Sequence, residues 1–168
     1  MRFADIACGS GSFLISVFDT LLNYHNNWYN DNPSKAKSDG CIYIKEDNRW
    51  VISLKQKREI LVNNIYGVDI DDQAVEVTEL SLYLKLLEDE TTATAHEMSS
   101  FFTLLPDLSK NIICGNSLVE PDILYSDLFS LSEEEERKLN PFSFDNAFTD
   151  IMKKGGFNAI VGNPPWGA

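Results

Sequence analysis

The sequence predicts an α/β fold, a parallel sheet covered by helices on both faces. Three observations predict it. Short apolar strands alternate with helical patterns along the 168 residues. Glycine-rich, acidic or asparagine-containing segments follow four of those strands, where open parallel sheets bind their ligands. The composition, 43% hydrophobic and 24% charged, is that of a globular domain.

The first strand falls within residues 1–7, with Phe3 and Ile6 apolar, and runs into Cys8-Gly9-Ser10-Gly11-Ser12. Phe13, Leu14, Val17, Phe18, Leu21, Leu22 and Tyr24 then give a helix a wide apolar face. Residues 26–40 are polar and broken at Asn32-Pro33-Ser34, which reads as a surface insertion. Residues 41–44 and 50–52 flank Asp47-Asn48 as a short hairpin. Ser53 with Gln56 makes a capping box, opening a helix that turns Ile60 and Leu61 inward. Residues 65–70 form a buried strand ending in an acid. Asp71 caps the next helix, where Ala74, Val77, Leu80, Leu84 and Leu87 recur at helical spacing.

Leu105-Pro106-Asp107 breaks the chain before a strand at residues 111–114. Ser132 and Glu135 make a second capping box, the glutamates at 133–136 form a solvated first turn, and Pro141 ends that helix. Phe148, Ile151 and Met152 mark one more short helix. Gly155-Gly156 then turns the chain into the last strand, residues 157–161. Insertions are expected near residues 30–54, 88–108 and 119–147.

Composition narrows the function. The net charge of −12 is opposite to the basic footprint of a free-standing DNA binder, so any basic surface must lie in other sequence. Cys8, Cys41 and Cys114 form no close pair, which suggests neither a disulfide framework nor zinc. His25 and His96 are isolated, and no metal site is expected. No apolar run reaches bilayer length and nothing at the start reads as a signal peptide. The reducing cytoplasm is the expected compartment.

Chemistry concentrates in four segments. In Asp5-Ile6-Ala7-Cys8-Gly9-Ser10-Gly11 the two glycines let a backbone loop approach a ligand at a helix N-terminus. A dinucleotide loop wants a third glycine, but Leu14 stands there, and Asp5 would repel phosphate. A zwitterionic amino acid fits better, although a tight structural turn would use the same residues. Asp69 ends its strand where an acid can accept from both hydroxyls of a ribose, whereas Asp71 is better read as an N-cap. Cys114-Gly115-Asn116-Ser117 can present a side-chain amide and a backbone N–H to an adenine, or be only a turn. In Asn163-Pro164-Pro165-Trp166 the prolines fix the backbone. The Asn163 side chain and the Pro164 carbonyl can then converge on an amino group, while Trp166 offers a flat face to a ring.

These residues resemble the amino-methyltransferases of DNA, whose ordered motifs lie on a Rossmann-like sheet. The phrases from Asp5 to Leu14 and from Gly155 to Trp166 look like the methylase region of combined type II restriction–modification enzymes. The resemblance implies S-adenosylmethionine as cofactor, held by Asp5, Ala7, Cys8, Gly9, Gly11, Phe13, Asp69, Ile70, Asn116 and Ser117. Asn116 stands where many members carry Asp. It also implies methylation of the adenine amino group by Asn163, Pro164, Pro165 and Trp166, with the base flipped out of the duplex. About 45 residues separate Asn116 from Asn163, too few for a target-recognition domain, so that domain is expected after the catalytic motif, the γ order. The chain reads as the N-terminal part of a catalytic domain, with only the first strands of its sheet, and is expected to be inactive alone. Double-stranded DNA is the expected partner through regions outside this chain, together with a partner subunit or the remainder of a longer polypeptide.

Two other classes share parts of this pattern. Methyltransferases acting on glutamine in release factors or guanine in ribosomal RNA present the same planar amino group to the same tetrapeptide. A truncated domain that binds cofactor or a partner without turnover is the other alternative. A nicotinamide oxidoreductase is disfavoured by the missing glycine and by the tetrapeptide.

Overall fold

The computed structural model describes residues 1–88, 90, 105–125 and 132–163. In chain order the elements are β1 (Phe3–Asp5), α1 (Ser12–Asp31), α2 (Pro33–Ser38), β2 (Ile42–Ile44) and β3 (Arg49–Val51). They continue with α3 (Leu54–Asn64), β4 (Ile65–Asp69), α4 (Asp72–Leu86) and β5 (Ile112–Cys114). A 3-10 turn (Pro121–Tyr125), α5 (Glu133–Leu139), α6 (Phe144–Ala147), α7 (Thr149–Met152) and β6 (Ala159–Ile160) complete the described set.

Four strands form a parallel sheet in the order β5-β4-β1-β6. The chain therefore moves outward from β1 to β4 and β5, then crosses back to pair β6 on the other side of β1. That reversal is a topological switch point, where α/β sheets open a crevice beyond their carboxyl ends. Asn111 secures the β4–β5 edge: it is buried, and its side-chain amide donates to the carbonyls of Val62 and Ile65, each at 2.8 Å.

Side chains alternate across β4 with the period of a strand. Ile65 joins a cluster built from Leu14, Phe18 and Leu22 of α1, Leu61 of α3, and Leu82 and Leu86 of α4. Tyr66 and Val68 face the other way, against Phe142, Phe148 and Ile151. On that face Tyr66 and Phe148 meet edge-to-face, with ring centroids 5.7 Å apart. Helices and apolar segments thus cover both faces, as the sequence predicts.

The hairpin, both capping boxes and the Asp71 cap are also present. Two expectations need correction. Residues 26–40 are helical on both sides of the breaker, with α1 running to Asp31 and α2 starting at Pro33. Their polarity has a structural use: Asn30 exchanges two 2.8 Å hydrogen bonds with the Trp50 backbone, and Asn26 accepts the Ile52 N–H at 2.9 Å. In α4 the buried positions are Val75, Thr78, Leu82 and Leu86, while Val77, Leu80 and Leu84 are exposed. This helix is apolar on two sides, so periodicity alone does not choose its inner face.

Candidate functional site

The carboxyl ends of the strands gather most of the sequence-predicted residues. Leaving β1, the chain keeps to the sheet for one more bond, from the Cys8 N–H to the Val68 carbonyl at 3.0 Å. It then turns through Gly9 (φ +53°) and Gly11 (φ +81°), left-handed conformations that favour glycine, and enters α1. The Gly9 N–H donates to Asp69 Oδ2 at 2.7 Å, and the Asp71 N–H donates to Asp69 Oδ1 at 3.0 Å. Both oxygens of the acid at the end of β4 are thereby oriented. A carboxylate oxygen has a second lone pair, so each keeps capacity for another donor.

Asp5 is 1% exposed. One carboxylate oxygen accepts the Ala7 N–H at 3.1 Å, and the other has no hydrogen-bond partner among the described residues. Burial pushes its pKa above the ordinary aspartate value; the Ala7 hydrogen bond opposes this and the nearby charge of Asp69 adds to it. Gly162 (φ +146°) passes directly over Asp5, where a Cβ would run into the carboxylate. Asn163 follows immediately. The end of β1 and the start of the fourth segment are therefore in contact.

The loop after β5 is braced from both sides. Asn116 donates its N–H to the Asn140 carbonyl at 2.7 Å, pairs as an isolated bridge with Pro141, and accepts the Leu118 N–H at 3.2 Å. The Ser117 hydroxyl donates to the Ile6 carbonyl at 2.6 Å, tying this loop to the end of β1.

Between these loops lies a cavity of about 460 Å³, within the roughly 300–1,000 Å³ common for small-molecule sites. Ala7, Asp69, Ile70, Asn116, Ser117 and Asn163 line it, together with Ile6, Gly115 and Leu118. Gly9 and Gly11 are not among its lining residues: the Gly9 N–H holds Asp69, which is, and Gly11 packs against Thr78. Cys8 turns its side chain into the core beside Leu14, where burial pushes its thiol up to about 12; only its backbone belongs to the loop. Phe13 faces away, into a separate cavity of about 230 Å³ with Phe3 and Val161, because it opens α1 on the β6 side. Pro164, Pro165, Trp166 and His96 lie outside the described residues. A larger cavity, about 530 Å³, sits near Met1, His25, Tyr29 and Asn64, at the other end of the strands, and none of the predicted site residues lines it.

The sequence reading passed over Thr78 and Asn140 and took Pro141 only as a helix end; the structure shows all three bracing the two loops. None of these roles carries a readable signal, because the inner face of α4 and the return of the segment at 140–141 are both set by contacts distant in sequence. Among the described residues no group of His, Cys, Asp and Glu could hold a metal ion, and no helix is long and apolar enough to cross a membrane.

Comparison with known proteins gives two relatives of the same kind. The chain is 36% identical over 167 residues to a type II restriction enzyme and methyltransferase of Escherichia coli, covering 98% of this chain and 14% of that protein. It is 37% identical over 119 residues to a Methanocaldococcus jannaschii protein provisionally named as a type II restriction enzyme and methyltransferase, covering 71% of this chain and 9% of that protein. The chain thus spans a small part of these relatives' length. Residues 63–168, from the end of α3 through the tetrapeptide, match the model of one family, and the chain belongs to the Eco57I restriction-modification methylases.

Proposed function

We propose that this chain carries the S-adenosylmethionine site and the amino-acceptor motif of an enzyme that methylates the exocyclic amino group of adenine in double-stranded DNA. The observation that carries the reading is the cavity at the switch point, where Asp69, Asn116, Ser117 and Asn163 meet from the ends of three strands. The residues suit the cofactor in charge and polarity. Asp69 offers acceptors for ribose hydroxyls, and Ile6, Ile70 and Leu118 offer apolar walls for a purine beside Asn116. The unpartnered buried oxygen of Asp5 suits an ammonium or a neighbouring sulfonium. When bound, S-adenosylmethionine supplies an electrophilic methyl group.

The chain's own residues do the rest by positioning. Asn163 and the Pro164 carbonyl accept the two amino hydrogens of the flipped base, which directs the nitrogen lone pair. Pro164 and Pro165 hold those acceptors still, and Trp166 stacks on the ring. No side-chain base is required, since the amino group is oriented rather than deprotonated beforehand.

The test is methyl transfer from labelled cofactor to unmethylated duplex by the full-length enzyme, followed by nucleoside analysis. Label is expected in N6-methyladenine. Asn163→Ala is expected to abolish turnover with cofactor affinity nearly intact, and Trp166→Ala to weaken base binding by roughly 1–3 kcal/mol. Label in protein or RNA but not in DNA would transfer the case to the glutamine or guanine enzymes.

A further inference from the structure

Thr78 lies in the middle of α4, is fully buried, and belongs to none of the four segments. Hydroxyls in helices commonly bond back to their own helix, as Ser16, Thr20 and Ser81 do here toward the carbonyls four residues earlier. Thr78 does not. Its hydroxyl leaves α4 and donates to the Gly9 carbonyl at 2.7 Å. Its side chain also closes the space beside Gly11, where a Cβ would stand 3.0 Å from the Thr78 methyl and 3.1 Å from its hydroxyl.

We infer that Thr78 is a positioning residue for the glycine loop, fixing the backbone amide that receives the carboxylate end of the cofactor. The inference rests on the S-adenosylmethionine reading above. In a trans peptide the C=O and N–H point in opposite directions. Holding the Gly9 carbonyl against α4 therefore turns the Ser10 N–H to the open side of the loop. Asp69 holds the other side of the same residue through the Gly9 N–H. The two bonds together fix both peptide planes of Gly9, a residue whose φ of +53° and missing side chain otherwise leave it free to rotate. The threonine methyl has a separate part, filling the space that Gly11 leaves open.

The hydroxyl and the methyl are separable by substitution. In the full-length enzyme, Thr78→Val keeps the shape and removes the donor, whereas Thr78→Ser keeps the donor. Calorimetric titration with S-adenosylhomocysteine is expected to show about tenfold weaker binding for Thr78→Val, the scale of one lost hydrogen bond. Thr78→Ser is expected to stay within about twofold of wild type by the same reasoning. KM for S-adenosylmethionine should rise in parallel, while kcat at saturating cofactor and KM for DNA stay level. Equal cofactor affinity in Thr78→Val and wild type would overturn the inference, as would equal loss in Thr78→Val and Thr78→Ser. If Thr78→Val does not fold, Thr78→Ala carries the same comparison with Thr78→Ser.

Native-state amide exchange at Ser10 and Gly11 without ligand reads the loop independently of the cofactor's identity. Faster exchange in Thr78→Val than in Thr78→Ser supports the positioning role, and equal exchange opposes it. A wild-type enzyme that ignores S-adenosylhomocysteine yet shows that exchange difference would overturn the cofactor reading and leave the brace standing.

Discussion

Asp5 shows most directly how the burial of a single charged side chain bears on stability in this fold. Its carboxyl is buried with one oxygen unpartnered among the described residues, and it titrates above the ordinary aspartate value because burial disfavours its charge. Between the ordinary value and the raised one the folded state holds more protons than the unfolded state. The contribution of this group to stability is therefore greatest in acid, falls as pH rises through that window, and stays low at neutral pH. Asp5→Asn removes the charge while keeping an acceptor for the Ala7 amide. Without ligand, this variant is expected to melt above wild type at neutral pH and close to it in acid, and to bind S-adenosylmethionine more weakly. Calorimetric melts at both pH values check the first part and titration checks the second. A variant that melts no higher at neutral pH would mean that the charge is already compensated.

Among the elements, α4 separates what periodicity can give from what it cannot. Its existence, its cap at Asp71 and its place after an acid-ending strand are all legible in the sequence, because caps and strand ends are local. Its rotation is not. Val77, Leu80 and Leu84 make as good an apolar stripe as Val75, Leu82 and Leu86, and the second set is the buried one. The choice follows from long-range contacts: the fit of Thr78 to the glycine loop, 69 positions away, and an ion pair from Lys85 to Asp19 of α1 at 2.8 Å. The same limit explains residues 26–40, whose asparagines look solvated until the edge of β3 arrives to bond them. Urea unfolding tests the assigned face. Leu82→Ala is expected to lose about 2–5 kcal/mol, and Leu80→Ala to stay within about 0.5 kcal/mol of wild type. Comparable losses at both positions would mean that the outer stripe is covered in solution. That the glycine loop, Asp69 and Asn116 gather at the carboxyl ends of the sheet is legible because each follows or ends a strand. The bracing by Thr78, Asn140 and Pro141 is not, because each acts on a loop far from it in sequence.

For the whole molecule, charge and topology set what this chain can do by itself. With a net charge of −12 it offers no general attraction for phosphates. Fluorescence anisotropy with duplex DNA across a salt series is expected to show weak binding with a shallow salt slope, and tight, steeply salt-dependent binding would reveal a basic surface. Topology adds an order of events. The sheet is closed by residues far apart in sequence: Arg2 donates its N–H to Asn158 at 2.7 Å across 156 positions, and β6 pairs with β1. Contacts of such sequence separation form late, since their loop-closure entropy is met before any reward. During synthesis, at about 5–20 residues per second, β1, β4 and β5 can assemble seconds before β6 leaves the ribosome. In that interval one edge of β1 is bare and Asp5 has lost its roof at Gly162. The nascent chain thus passes through a window in which a half-built sheet, with an open strand edge and a half-uncovered acid, is the species that chaperones and proteases meet.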